Sequence, residues 1–188
     1  MTDQELLARF LDGDATAFEA VMRRHEDRVF AVCLRLLRDR EAALEATQET
    51  FLTLFRKADR FSGRSALGTW LYRVAVNTCY DQLRRERRQR ADPLPVGHDP
   101  VDPTASDPFA AVELRPDLER ALGALSPEFR AVVTLSDLEG LPLQDVAEVL
   151  DLPVGTVKSR LFRARQRLAQ HLGNLSGPPT IPSRDSHA

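Results

Sequence analysis

The fold is decided by residues 141–168, which read LPLQDVAEVLDLPVGTVKSRLFRARQRL. A short apolar pattern ends at Leu150, a turn of four or five residues follows, and a second helical pattern begins near Thr156. Its apolar positions recur at three- and four-residue steps, as one buried helix face requires. They are Val157, Leu161, Ala164 and Leu168. Two short helices joined by such a turn are typical of a helix-turn-helix.

The opposite face of the second helix is polar and basic, with one aromatic side chain. It presents Lys158, Ser159, Phe162, Arg163 and Gln166. Residues 154–172 hold five Lys or Arg and no acid, whereas a merely solvated helix face normally mixes both signs. The start of such a helix enters the DNA major groove, where Arg and Lys reach guanine edges. The pattern therefore favours nucleic-acid binding over a solvated structural helix.

Charge is distributed unevenly along the chain, although its net charge is only −2. Residues 64–90 and 154–172 each carry a net charge of +5, with seven and five basic residues respectively. Residues 91–113 and 114–153 each carry −5, and residues 1–63 carry −2. Two basic segments separated by acidic ones indicate two nucleic-acid-binding surfaces that the whole-chain balance conceals.

Six of the twelve prolines lie between Asp92 and Pro116. Because proline fixes φ and lacks an amide donor, this stretch forms neither a helix nor a central strand. We expect an acidic, Pro-rich, flexible linker over 91–115, between domains at 1–90 and 116–173. The Gly- and Pro-containing segment 174–188 is predicted to be a disordered tail.

Helical periodicity dominates on both sides of the linker. Apolar residues predict long helices over 15–37 and 40–58, the second marked by Leu44, Thr47, Phe51, Leu54 and Phe55. A third pattern runs from Trp70 to Leu83. Beyond the linker we expect a helix capped by Ser126, a break over 137–142, a helix over 144–150, and a last helix over 156–172. No strand-like alternation is present, so the predicted fold is all-α with two small domains.

The basic segment 61–90 interleaves aromatic and arginine side chains. Its rings are Phe61, Trp70, Tyr72 and Tyr80, and its cations include Arg64, Arg73 and the run Arg84-Arg85-Glu86-Arg87-Arg88. Rings on which unpaired bases stack, beside cations that follow phosphates, suit single-stranded or melted nucleic acid. Trp70 alone fits a core anchor equally well, so the segment as a whole carries this hypothesis.

Enzyme, metal and membrane classes find no support in the sequence. No glycine-rich phosphate loop, His-Glu-x-x-His or Gly-x-Ser-x-Gly motif occurs, so we expect no catalytic residue, metal or cofactor. The two cysteines, Cys33 and Cys79, lie in apolar helical patterns and suit a reducing cytoplasm. The polar, acidic N-terminus is no signal peptide, and no apolar run is long enough to span a bilayer, so we expect no membrane contact.

Four ordered motifs resemble a known family. They are Gln48-Glu49-Thr50-Phe51-Leu52, Phe61 to Asp81, Leu125 to Leu135, and Pro153 to Arg165. Together they are similar to the extracytoplasmic-function sigma factors of the sigma-70 family, in which region two binds core RNA polymerase and melts the −10 element. Region four of that family reads the −35 element. The resemblance spans residues 3–172.

The resemblance implies specific roles for individual residues. Contacts to the −35 element fall to Thr156, Lys158, Ser159, Arg160, Phe162 and Arg163. Contacts to the −10 element fall to Phe61, Arg64, Trp70, Arg73, Asn77, Arg84 and Arg85. Core-polymerase contacts fall to Glu45, Gln48, Glu49 and Leu52. The implied partners are promoter DNA, the β′ coiled-coil and β flap of the core enzyme, and an anti-sigma factor that links the chain to a stress response.

The chain departs from the family pattern at two places. Residues 42–45 read Ala-Ala-Leu-Glu where the family commonly has Asp-Ala-Glu-Asp, so two acids expected at the β′ interface are absent. Asp151 takes the place of the usual glycine in the helix-turn-helix, and Asp also tolerates a left-handed turn.

Two other classes of function stay open from the residues themselves. One is a stand-alone helix-turn-helix regulator that binds duplex DNA as a dimer. The other is a protein-interaction scaffold whose basic faces are incidental. A sigma factor needs core polymerase for tight promoter binding, a regulator does not, and a scaffold shows no salt-dependent DNA binding.

Overall fold

The computed structural model describes residues 1–63, 65–91 and 116–175, and these residues form helices and turns without a strand. The helices are α1 (Asp3–Leu11), α2 (Ala15–Leu37), α3 (Arg40–Lys57), α4 (Leu67–Ala91), α5 (Pro116–Gly123), α6 (Pro127–Val133), α7 (Leu143–Leu150) and α8 (Val154–Leu175). The predicted all-α class is confirmed. Arg64, the predicted linker over 92–115 and the predicted tail beyond 175 lie outside the described residues.

Local caps set the ends of the first helices. α1 begins with a capping box in which the Thr2 hydroxyl accepts from the Glu5 amide and the Glu5 carboxylate accepts from the Thr2 amide. α2 follows the N-cap Asp14 and ends at Leu37, and the C-cap Arg38, with a φ of 60°, reverses the chain into α3. The predicted bounds of α2 agree with the structure. α1 was not predicted, although its capping box is legible in the sequence.

The helix-turn-helix forms as expected, with one difference before it. Asp151 has φ 51° and ψ 51°, the left-handed conformation predicted at the turn between α7 and α8. The break predicted over 137–142 starts later, because Thr134–Leu138 forms a π-helical turn that continues α6. Ser126 stands at the N-cap of α6, but its side chain makes no capping hydrogen bond there.

The two halves of the chain pack directly on one another. α2, α3 and α4 pack together with α1 across α2, while α8 packs against α5, α6 and α7. Across the halves, α4 contacts α7, and α2 contacts α5, α6 and the π-helical turn. The buried apolar residues of both halves form one continuous core. Two helical domains were expected from the sequence, and this mutual packing was not.

A buried polar network joins the halves. Arg35 of α2 forms an ion pair with Glu139, which follows the π-helical turn, at an Nη1–Oε1 distance of 3.0 Å. The two side chains are only 8% and 7% exposed. The Tyr72 hydroxyl of α4 donates to the other Glu139 oxygen at 3.0 Å. Each oxygen of this desolvated carboxylate therefore has a partner from the N-terminal half, as burial of a charge demands.

Arg130 of α6 provides a second polar link. Its buried guanidinium donates to the carbonyl of Leu36 at 2.8 Å, at the last turn of α2. It also donates to the carbonyls of Leu122, at 3.0 Å, and Leu125, at 2.8 Å, which lie around the α5–α6 turn. The Leu36 carbonyl lies in the last turn of α2, where carbonyls lack intrahelical partners and carry partial negative charge, so a cation stabilises it there.

Replacement of Arg130 by Met should destabilise the fold strongly. Arg130→Met keeps an unbranched stem but removes the guanidinium donors from the carbonyls of Leu36, Leu122 and Leu125, of which the Leu122 carbonyl keeps the Leu125 amide as a donor. We therefore expect the free energy of unfolding to fall by about 3 kcal/mol. Urea denaturation followed by circular dichroism measures the change. The control is Arg120→Met, because Arg120 makes only an exposed ion pair with Asp117 and should cost under about 1 kcal/mol. Equal midpoints for the two variants would contradict this role.

Candidate functional site

The outer face of α8 is basic and open to solvent. Lys158, Ser159, Phe162 and Arg163 are all exposed, and Phe162 is 64% exposed. The Ser159 hydroxyl donates to the carbonyl of half-buried Thr156 at 2.9 Å, close to the start of the helix. The opposite positions, Val157, Leu161, Ala164 and Leu168, are buried as predicted. The helix therefore offers a face with the size and charge that a major groove accepts.

Two other cations of α8 hold the helix in place. Arg165 contacts the Asp137 carboxylate with two hydrogen bonds, of 3.0 Å and 2.6 Å. The Arg167 guanidinium lies over the Phe129 ring, 4.6 Å from its centroid. Both interactions are made with α6 or its π-helical continuation, so these cations orient α8 rather than extend its outer face.

Arg160, predicted to contact DNA, lies apart from the exposed face. It is half-buried, and its charge acts on the Tyr80 hydroxyl of α4 and on the Glu128 carboxylate of α6. Burial, followed by the charge of Glu128, raises the pKa of Tyr80 to about 12, while Arg160 opposes that shift. Arg160 is therefore positioned where the two halves of the chain meet.

On α4, one exposed polar face stands beside an aromatic pair. Arg73 and Asn77 are exposed and one helical turn apart. Phe61 and Trp70 are half-buried with their ring centroids 6.3 Å apart in an edge-to-face arrangement, and both pack against the core. Trp70 thus combines the two roles considered for it, since it touches the core and remains partly accessible.

The predicted cluster of four rings does not form one surface. Tyr72 is buried, with its hydroxyl on Glu139, so it cannot stack on a base. Burial, followed by the charge of Glu139, raises the pKa of Tyr72 well above its usual value. Tyr80 faces the other half of the chain. Only Phe61 and Trp70 remain together, because helix α4 turns the two tyrosines inward.

The four residues predicted to bind core polymerase share one groove. Glu45, Gln48, Glu49 and Leu52 are exposed on α3 and line a groove of about 550 Å³ between α3 and α4. α4 contributes the opposite wall through Thr78, Asp81, Gln82 and Arg85. Phe51, which follows Thr50 in the same motif, points into the core. The structure thus brings together one predicted set and adds an α4 wall that the sequence did not reveal.

Two apolar residues of α3 are exposed although the periodic pattern included them. Leu44 is 40% and Phe55 is 55% exposed, and they continue the outer face that Leu52 occupies. The Phe55 ring also contacts the rings of Phe10 and Phe18, at centroid distances of 5.2 and 5.4 Å. Exposed apolar side chains beside acidic ones mark an interaction surface. Leu44 stands where one of the expected acids is absent.

Metal-binding groups and membrane-spanning helices are both absent from the described part of the chain. Within residues 1–63, 65–91 and 116–175, no group of acidic, His or Cys side chains could hold a metal ion. Over the same residues, no helix is both long and apolar enough to cross a membrane.

Two family models match the chain in the order of its two halves. The model of Sigma-70 region 2 matches residues 21–89, which include α3, all but the last two residues of α4, and the groove. The model of Sigma-70, region 4 matches residues 115–168, which include the helix-turn-helix.

Relatives and a solved structure agree with these matches. The ECF RNA polymerase sigma factor SigM of Mycobacterium tuberculosis is 39% identical over 93% of this chain and 87% of its own. The ECF RNA polymerase sigma factor SigE of Mycolicibacterium smegmatis is 38% identical over 87% of this chain and 67% of its own. The sigma factor RpoE of Bartonella quintana, solved in complex with the anti-sigma factor NepR, superposes with a TM-score of 0.67 at 26% identity. That match covers 83% of this chain and 96% of the solved one.

The raised pKa values of the two tyrosines predict that the folded chain loses stability at alkaline pH. Tyr72 and Tyr80 keep their protons in the folded chain above the pKa of 10 that an unfolded tyrosine shows. Folded protein then binds more protons than unfolded protein, so stability is complete below about pH 10 and falls as pH rises toward 12. Tyrosinate absorbance should appear later in native protein than in denaturant, and Tyr80→Phe should reduce the loss. Coincident native and denatured titrations would contradict the burial of both hydroxyls.

Proposed function

Because the chain belongs to the extracytoplasmic-function RNA polymerase sigma factors, we propose that it directs core polymerase to specific promoters through three separate surfaces. The half formed by residues 1–90 binds the core enzyme and opens the −10 element. The half formed by residues 116–173 reads the −35 element. The segment 91–115 connects them.

The outer face of α8 is the proposed −35 reader. The observation that carries this proposal is the division of the α8 cations: Arg165 and Arg167 have intramolecular partners, while Lys158 and Arg163 are exposed beside the open ring of Phe162. The guanidinium fork of Arg163 matches the two acceptors of a guanine edge, and Phe162 suits a thymine methyl. Lys158, a compact charge near the helix start, suits a phosphate.

The exposed face of α4 is the proposed −10 reader. Arg73 and Asn77 lie one turn apart, so an amide can bind an unpaired base edge while the cation holds its phosphate. The half-buried pair of Phe61 and Trp70 offers a ring on which a displaced base can stack. Arg84, further along α4, extends the phosphate path.

The outer face of α3 is the proposed core-binding surface. Glu45, Gln48 and Glu49 present polar groups beside the exposed Leu52, which suits a basic, amphipathic coiled-coil such as that of β′. The β flap is the proposed partner of the C-terminal half. The RpoE structure, solved with an anti-sigma factor, supports a regulator of that kind for this chain also. We place the chain in the cytoplasm and assign phosphodiester chemistry to the core enzyme alone.

A stand-alone regulator is the less favoured function. The compared relatives are named RNA polymerase sigma factors, and both region models match this chain in order. A stand-alone regulator would also not need the groove and the exposed apolar residues of α3.

Core dependence tests the proposed function. Run-off transcription with core enzyme and genomic fragments should yield discrete transcripts only when the chain is added. Glu49→Lys reverses a charge on the α3 face, so we expect core affinity to fall at least about tenfold, because juxtaposed like charges cost several kcal/mol.

The matched control for that variant is Glu19→Lys. Glu19, like Glu49, is an exposed helical acid paired with an arginine of its own helix, but it lies on α2. It should bind core as wild type does, and both variants should keep their circular dichroism. Tight promoter binding by the chain without core would instead favour the stand-alone regulator.

Residues of α8 that read bases should differ from residues that contact phosphates in how their loss depends on the promoter sequence. Arg163→Ala is expected to cost about 1–3 kcal/mol and to relax preference at one or two −35 positions. Lys158→Ala should weaken all promoter sequences alike and lower the salt slope by about one. Holoenzyme binding to promoter variants at several salt concentrations measures both effects.

Arg167→Ala is the comparison for sequence preference, since it removes an α8 cation that lies over Phe129 and not on the outer face. It should leave the preference at each −35 position unchanged. If Arg163→Ala weakens every sequence equally, Arg163 is not the reader.

A further inference from the structure

The cations of α4 point to two different sides of the helix. Residues four and seven apart share a helix face, so Arg73, Asn77 and Arg84 lie within about 40° of one another around the axis. Arg85 follows Arg84 and is therefore turned by about 100°. Arg84 forms an ion pair of 3.0 Å with Asp81, but unlike Asp81 and Arg85 it does not line the groove between α3 and α4.

The face that carries Arg85 is the one turned toward α3. Thr78, Gln82 and Arg85 are separated by four and three residues, and all three line the groove opposite Glu45. A second groove, of about 280 Å³, continues toward the start of α3 and shares Glu45, Gln82 and Arg85 with the first. Arg85 thus stands at the junction of two grooves that form one cleft.

The cleft is net acidic, although Glu49 is paired with Arg56, Asp81 is paired with Arg84, and Arg85 lies in its wall. Its carboxylates are Asp39, Glu41, Glu45, Glu49, Asp81 and Glu86. Exposed Leu52 adds apolar area to the same cleft.

We propose that the core-binding site is this two-walled cleft, in which α4 forms the second wall and Arg85 belongs to the core interface rather than to the −10 face. The occupant is a Lys- and Arg-rich helical segment of the core enzyme, since net acidic walls select a basic partner. The inference rests on the proposed core binding by α3 and extends it to a helix otherwise assigned to DNA.

Charge reversal on the α4 wall tests the cleft. Asp81→Arg places a like charge against the basic segment, so we expect DNA-free core binding to weaken at least about tenfold in a fluorescence anisotropy titration. The matched control is Asp27→Arg, the same change at an exposed position of α2 away from the cleft, and it should stay within about twofold. Thr78→Arg, which adds both bulk and charge to the groove, is the second variant and should behave as Asp81→Arg does.

The α3 variant separates the two ways in which this test can fail. If Asp81→Arg and Thr78→Arg bind core normally while Glu49→Lys does not, the site is confined to α3 and the inference is overturned. If Glu49→Lys also binds core normally, the α3 site itself is wrong.

Neighbouring arginines test the assignment of Arg85. With holoenzyme formed at saturating core, Arg84→Gln should lower the salt slope of promoter binding by about 0.7–0.9, as loss of one phosphate contact requires. Arg85→Gln should leave that slope unchanged. Equal losses of slope for the two variants would return Arg85 to the DNA face and overturn its assignment to the cleft.

Discussion

The carboxylate of Glu139 ties the two halves of this chain together. It accepts from Arg35 of α2 and from Tyr72 of α4, so three segments far apart in sequence converge on one buried charge. Of the helices that carry a proposed partner surface, α4 contributes Tyr72 directly to this network. Because a charge without partners is expensive to bury, the network tolerates only a narrow range of positions for α2, α4 and the π-helical turn.

The chemistry of that junction differs from the chemistry of the core on either side. An apolar interface loses its whole stabilisation when it opens, whereas Arg35, Glu139 and Arg130 all regain water. The packing of α4 on α7 therefore stabilises the contact between the two halves, and the polar links fix their relative position. This combination holds the two halves of the chain in one relative position.

Hydrophobic periodicity and turn chemistry predicted the helix ends, turns and buried helix faces that depend on local sequence. The ends of α2, the left-handed Asp151 and the inward face of α8 follow from residues within a few positions of one another. Long-range pairing was not predictable, because Arg35 and Glu139 are 104 positions apart and nothing marks which of many arginines becomes buried. The exposure of Leu44 and Phe55 was missed for a related reason, since an apolar interaction surface and a core face share one helical spacing.

The burial of both thiols has a practical consequence for experiments on this protein. Cys33 of α2 and Cys79 of α4 are the only cysteines in the chain, and both are fully enclosed. The hydrogen bond with Cys33, followed by burial, raises the pKa of the Cys79 thiol, which suppresses the reactive thiolate. A cysteine engineered at an exposed position can therefore take a fluorophore while the native pair stays unlabelled. Because both native thiols are buried between helices, the rate at which they react with a thiol reagent reports how often α2 and α4 separate.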